Sequence, residues 1–260
     1  MPNATQFVAD LARSVGFLSR LPVPDRFFRG HDGTISRAVR AFPAAGLLIA
    51  ALPALVLFLL VTADGDPLVA SFVALALLSL MTGALHEDGL ADAVDGLGGG
   101  RDRDHALAIM KDSRTGSYGV VSLILSFGLR ASALAALARH DAGLAALALL
   151  ATAAISRALM VAHWRALVPA RDGGLASNAG MPEDRARNIA LLTGALAALI
   201  LLIPAAGLPV ALLSLLAAAL VSYGFTRLAR KKLGGHTGDT IGATQQLTEI
   251  ASLATLALAI

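Results

Sequence analysis

Four carboxylates fall within nine residues of this chain, at Glu87, Asp88, Asp92 and Asp95. Asp88, Asp92 and Asp95 stand at i, i+4 and i+7, so a helix would carry them on one face. Three like charges on one face repel, and a divalent cation is the economical partner for them. Spaced carboxylate oxygens suit Mg²⁺ when phosphate and water complete its octahedron. The same row of acids would be ordinary on a solvated helix. Here it follows an apolar run over residues 68–85, long enough to cross a bilayer. Acids at the mouth of a membrane helix are costly and point to a function.

Three more polar stretches could converge on the acids. One is Lys111-Asp112-Ser113-Arg114-Thr115-Gly116. Lys111 and Arg114 would neutralise phosphate, the arginine in bidentate fashion. The second runs from Gly234 to Gly242 and holds four glycines around Asp239. Glycines let a backbone approach phosphate closely, and successive N–H groups can form an anion nest. Asp239 is expected close enough to the acidic block to share a ligand with it. The third is the arm Arg20-Leu21-Pro22. His86 and His236 flank acids, but imidazole is softer than Mg²⁺ prefers, which gives them supporting roles. Acids for Mg²⁺, bases for phosphate and a site at the membrane interface together indicate phosphoryl or phosphodiester transfer.

The elements that must position these residues follow from composition. The chain has 260 residues, 56% hydrophobic and 15% charged, with a mean hydropathy of +0.71. Soluble domains carry about 25% charged residues. This is therefore an all-α polytopic membrane bundle, one integral-membrane domain over residues 1–260. The absence of cysteine excludes disulfide and thiolate–metal chemistry. No Ser-His-Asp order, Walker A loop or dinucleotide fingerprint appears, and residues 1–40 lack the apolar core of a cleavable leader.

Phe7, Leu11, Val15 and Leu18 predict an N-terminal amphipathic helix lying in the membrane interface, ended by Pro22 and Pro24. About seven spans follow, near residues 41–61, 68–85, 119–138, 142–162, 189–203, 207–226 and 244–260. The first should kink at Pro53. The second should run on as one helix into the acidic block. A short helix over about 104–112 should be capped by Asp104. Arg130, in mid-span, needs a partner or a function. Arg157, about two turns from a span end, is placed to snorkel.

Of the 21 Lys and Arg residues, 18 lie in residues 1–40 and in three long loops, and one lies in the opposite turns. By the positive-inside rule the N-terminus and those loops are cytoplasmic and the C-terminus is outside. The formal charge of +3 is thus topological and is poor evidence for nucleic acid. Every chemistry-bearing stretch falls on the cytoplasmic face. A transporter would spread polar groups to the midplane on repeated units, and no such repeat is present.

Four motifs in order carry a family resemblance. They are Glu87-Asp88-Gly89-Leu90-Ala91-Asp92-Ala93-Val94-Asp95-Gly96, Phe17-Leu18-Ser19-Arg20-Leu21-Pro22-Val23-Pro24, residues 109–119 from Ile109 through Lys111-Asp112-Ser113-Arg114 to Gly119, and Thr237-Gly238-Asp239-Thr240-Ile241-Gly242-Ala243. Nearly end to end the chain resembles the cobalamin-5′-phosphate synthases, the adenosylcobinamide-GDP ribazoletransferases. The resemblance implies that the 3′-hydroxyl of α-ribazole, or of its 5′-phosphate, attacks the cobinamide-side phosphorus of adenosylcobinamide-GDP. GMP leaves, and adenosylcobalamin or its 5′-phosphate forms. It further implies Mg²⁺ held by Asp88, Asp92 and Asp95, with Glu87 and Asp112 as candidates to complete the set. Asp95 or Asp92 would accept the hydroxyl proton, and Lys111 and Arg114 would stabilise phosphate charge. Arg20, Asp112, Ser113, Gly238, Asp239 and Gly242 would contact substrate. The implied setting is the bacterial cytoplasmic (inner) membrane, multi-pass, with lipid as partner, no nucleic acid, and association with further copies left open. CDP-alcohol phosphotransferases follow a similar logic and are the alternative. This chain has Asp-x3-Asp-x2-Asp and lacks their Ala-Arg and second aspartate half.

Reporter fusions after residues 65, 100, 175 and 235 test the sidedness. Only the fusion at 65 should report from the outer side, and an outer-side signal at 100 overturns the reading.

Overall fold

The computed structural model describes residues 4–30, 32–171, 173 and 179–260. Among them the apolar runs and breakers of the sequence become ten α-helices and two short 3₁₀ turns. Helix α1 (Ala4–Leu18) is the expected amphipathic helix. Its Leu11, Val15 and Leu18 pack into the core. The same helix buries Asp10, whose carboxylate takes Arg40 at 2.7 Å, Arg37 at 3.1 Å and Arg13 at 3.5 Å. It is pinned to the bundle by charge as well as by apolar contact.

Helix α2 (Phe42–Thr62) carries Pro43 in its first turn, where the missing N–H costs nothing, and Pro53 inside. Helix α3 (Pro67–Thr82) is capped by Asp66, which accepts from the N–H of Leu68 and Val69. The expected continuous helix into the acids does not form. Gly83 and Ala84 both take left-handed backbone, at φ 63° and 55°, and α4 (Leu85–Gly99) leaves at 90° to α3. A left-handed alanine costs roughly 1–2 kcal/mol. The corner is held by Ala84 N–H donating to Ser79 O at 2.8 Å and Arg20 N–H donating to Met81 O at 2.7 Å.

Helix α5 (Arg103–Ile109) is capped by Asp102 rather than Asp104, because Asp102 has the extended backbone that lets its side chain accept from His105 N–H. Helix α6 (Ser117–His140) and α7 (Ala142–Ala166) meet at Asp141, which caps α7 through Leu144 N–H at 2.6 Å. Helices α8 (Asp184–Ala206), α9 (Leu208–Leu233) and α10 (Gly238–Ala259) complete the order.

Helices α2, α6, α7, α8 and α9 are each long and apolar enough to cross a membrane. Helix α3 qualifies only together with α4, across the bend. Helix α4 alone is too short and acidic to cross, and forms a separate arm at 90° to α3. The seventh expected span, α10, has 22 residues but a polar first half. Helix α7 is the hub. In its most apolar stretch 83% is buried, against 22 to 39% in the other four. Small residues bring its neighbours close. A Cβ on Gly46 of α2 would lie 2.5 Å from Ala153 O, and one on Gly194 of α8 would lie 2.6 Å from the Ala158 Cβ.

The polar half of α10 faces inward. Glu249 accepts from Arg130 of α6 and from Arg157 of α7, both at 3.1 Å. Arg130 also reaches Glu87 of α4 at 3.4 Å. Gln245 donates to Glu249 at 2.6 Å, and Gln246 donates to Glu87 at 3.3 Å. The two guanidinium charges and two carboxylate charges balance. Arg157 therefore does not snorkel: it is 1% exposed and paired inside the bundle.

Removing one member strands the rest. Glu249→Leu should cost about 3–5 kcal/mol, because two buried arginines then share one carboxylate. Thermal unfolding of the full chain in detergent reads this. A loss under about 1 kcal/mol would show that the arginines do not depend on Glu249.

Candidate active site

Helix α4 presents its acids in a gradient. Asp88 is exposed, Asp92 is half-buried and Asp95 is buried. Glu87 lies about 100° around the helix from Asp88. Its carboxylate accepts from Arg130, Gln246 and Ser79 within the bundle. Glu87 is thus a member of the buried ion-pair network and not of the acidic face, which corrects its expected metal role.

The distant Asp239 is beside that face. Helices α4 and α10 cross at two glycines. A Cβ on Gly89 would stand 3.0 Å from Asp239 O, 3.3 Å from its Cα and 3.3 Å from Gly242 Cα. This contact sets Asp239 against Asp88 and Asp92, as the sequence predicted. It also involves Gly242, whose own Cβ would meet His86 Cα at 3.4 Å and Gly89 Cα at 3.5 Å. Gly242 lets two helices touch, and it also lines a small cavity with Gly238 and Ile241. The expected glycine loop is shorter than its sequence. Gly238 and Asp239 already belong to the first turn of α10, capped by Thr237 and Thr240 in a reciprocal box. Open space surrounds Gly238.

Asp95 has a task of its own. Its two oxygens accept Gly116 N–H at 2.6 Å and Gly119 N–H at 2.8 Å, at the start of α6. An anion at a helix N-terminus is favourably placed. Asp95 therefore anchors the Lys111–Gly116 loop to α4, with one backbone N–H on each carboxylate oxygen. In that loop Arg114 and Asp112 satisfy each other, at 2.6 Å in an exposed pair. The Arg114 hydrogen bonds hold the Asp112 carboxyl down at about 2. Lys111 and Ser113 are exposed. Arg20 lies over the α3–α4 corner, where a Cβ on Gly83 would meet its Nε at 2.5 Å, and its guanidinium has no ion pair among the described residues.

One residue at the face was not singled out by sequence. Arg171 donates to Asp239 at 3.4 Å, and to Leu107 O at 3.4 Å. In sequence it is one cation among several in a basic loop, and nothing local marks it.

Burial raises Asp92 to about 7, reinforced by Asp88, Asp239 and Asp95 and opposed by Arg171. Asp239 is raised too, by burial first, with Arg171 and the Thr237 hydroxyl pulling the other way. Burial lowers His236 to about 4, so its ring is neutral. The face carries three carboxylates against one guanidinium. It fits a hard divalent cation in donor type and in charge. Among the described residues no three acid or histidine side chains stand at closed metal-site spacing. Asp88, Asp92 and Asp239 are close enough for their charges to act on one another.

This electrostatics has a measurable consequence. An acid with a raised value keeps its proton in the fold while the unfolded chain loses it. Asp92 therefore favours the fold at low pH, and that contribution is lost as pH rises from 3.8 to about 7. With chelator present, the melting temperature should fall across this window. Saturating Mg²⁺ should shrink the fall, and Asp92→Asn should flatten it. An unchanged slope in Asp92→Asn would remove Asp92 as its source.

Comparison with known proteins agrees with the motifs. Residues 10–257 match the cobalamin-5-phosphate synthase family. The adenosylcobinamide-GDP ribazoletransferase of Rhizobium meliloti is 58% identical over the whole of both chains. Those of Rhizobium johnstonii and Brucella anthropi are 51% and 43% identical, each over at least 97% of both chains. No solved structure matches. With a match that runs nearly end to end, the chain belongs to the cobalamin-5-phosphate synthase family.

Proposed function

We propose that this multi-pass membrane protein is an adenosylcobinamide-GDP ribazoletransferase that works on the cytoplasmic face of the bacterial inner membrane. The observation that carries the reading is the convergence of Asp88, Asp92 and Asp239 at the α4–α10 crossing. A face of three carboxylates, in a family of this activity, suits handling of a phosphate-bearing substrate. Asp88, Asp92 and Asp239 would hold Mg²⁺, which when bound supplies positive charge to the diphosphate oxygens.

The chain's own residues do the rest. The face orients the α-ribazole 3′-hydroxyl toward the cobinamide-side phosphorus, and Asp92 takes the hydroxyl proton. A new oxygen–phosphorus bond forms to ribazole. The bond from that phosphorus to the bridging oxygen breaks, and GMP leaves with the electron pair. Asp95 is a positioning residue, because it fixes the Lys111–Gly116 loop beside the acids. Lys111 and Arg114 stand on that loop as surface cations for substrate phosphate. The Lys and Arg asymmetry supports a cytoplasmic position for these groups.

A single assay tests this. Purified protein in detergent with adenosylcobinamide-GDP, α-ribazole and Mg²⁺ should release GMP, and chelation should stop it. Asp92→Asn should lower turnover about 10²-fold or more with the fold intact. Near-normal turnover of that variant at saturating Mg²⁺ would take Asp92 out of the chemistry.

A further inference from the structure

Arg171 reaches the acidic face from a segment that two other parts of the chain hold down. Residues 168–170 pair with His236 in an isolated parallel bridge, with Pro169 opposite His236. Ala170 N–H donates to His236 O, and His236 N–H donates to Val168 O, both at 2.8 Å. The pairing is too close for any side chain at Gly235, whose Cβ would lie 2.3 Å from Val168 O. From the other side Arg103 donates to Leu233 O at 2.9 Å and to Ala170 O. A guanidinium and a glycine are thus committed to holding residues 168–170 against the start of α10. The next residue is Arg171.

The two contacts Arg171 makes are both 3.4 Å, the long end of hydrogen bonding. Its side chain is 31% exposed. The guanidinium is held in place by its backbone and only loosely by its partners. Among the described residues it is the cation in contact with the acids. Arg114, by contrast, is 87% exposed and tied to Asp112.

We propose that Arg171 binds the diphosphate of the nucleotide substrate and neutralises the charge that builds on the departing nucleoside monophosphate. The proposal rests on the transferase reading above. A planar fork of donors matches two phosphate oxygens. Breaking the diphosphate turns a singly charged diester phosphorus into a doubly charged monoester. That added charge appears on the leaving group, where a guanidinium can offset it. Asp239 holds the guanidinium until a divalent cation competes for the carboxylate. Arg171 is then free to pair with phosphate without leaving the face.

The test uses the full chain in detergent with Arg171→Ala and Arg171→Lys. Two readouts are taken: steady-state turnover, and binding of GMP and of Mn²⁺ by titration calorimetry. Arg171→Ala should lower kcat about 10²-fold and weaken GMP binding about 10-fold. Mn²⁺ affinity without nucleotide should hold or rise, since Asp239 has lost its competitor. Arg171→Lys should restore only part, because an ammonium cannot fork. Unchanged GMP affinity overturns the proposal. So does weakened Mn²⁺ binding with GMP affinity intact, which would make Arg171 a positioning residue for Asp239. If Arg171→Ala fails to fold, Arg171→Lys and Arg171→Gln carry the same comparison. Absence of GMP release by the unaltered protein would fail the transferase reading instead, while GMP binding would still judge Arg171.

Discussion

The structure depends on one buried electrostatic knot, in which Glu249 faces Arg130 and Arg157 while Arg130 also meets Glu87. Four helices contribute to it: α4, α6, α7 and α10. Each charge alone would be costly inside a bundle that lipid surrounds. Together they are neutral and largely hydrogen-bonded, so no single helix can shift without stranding a charge. Such a knot adds little net stability over an apolar core, but it specifies one arrangement. That arrangement crosses α4 over α10 at Gly89 and Gly242, and the crossing is what brings Asp239 to Asp88 and Asp92. The interior charges set the register of the helices that carry the acidic face.

Asp95 and Arg171 work by the same logic at the rim. Asp95 ties the loop after α5 to the acidic arm through two backbone amides. The bridge between Pro169 and His236 ties a third loop to α10. Segments far apart in sequence are each fastened to the α4–α10 contact by backbone hydrogen bonds, which hold position more firmly than long side chains. The acids themselves repel, and burial of Asp92 adds to that. The scaffold holds together a face that would otherwise spread.

Much of this was legible in the sequence. Apolar runs and proline placement located the spanning helices, and the i, i+4, i+7 spacing located the face. The Gly238-Asp239 motif correctly tied the C-terminal segment to the acids. The 90° corner was not legible, because a left-handed alanine is rare and Ala84 carries no mark of it. The partners of Glu87 and Asp95 were not legible because spacing reports which acids are near in sequence, and those partners come from other helices. Arg157 was read as a snorkelling residue for want of a visible partner, which lies 92 positions away in Glu249. Arg171 was hidden among topological charges. The helix crossing at Gly242 was not legible, since a glycine required by helix crossing looks the same in sequence as one required by a ligand.

The polar face of α10 also bears on how the protein is made. A helix presenting Gln245, Gln246, Thr248 and Glu249 on one side is a poor candidate to partition into lipid by itself. It needs a groove already lined by Arg130 and Arg157, so insertion of α6 and α7 must come first. A nascent chain that has not yet made α10 carries two arginines in its bundle that share the one carboxylate of Glu87, and an acidic arm without Asp239. Such a chain has membrane anchorage but no assembled site, and an unbalanced charge inside the membrane that only α10 can neutralise.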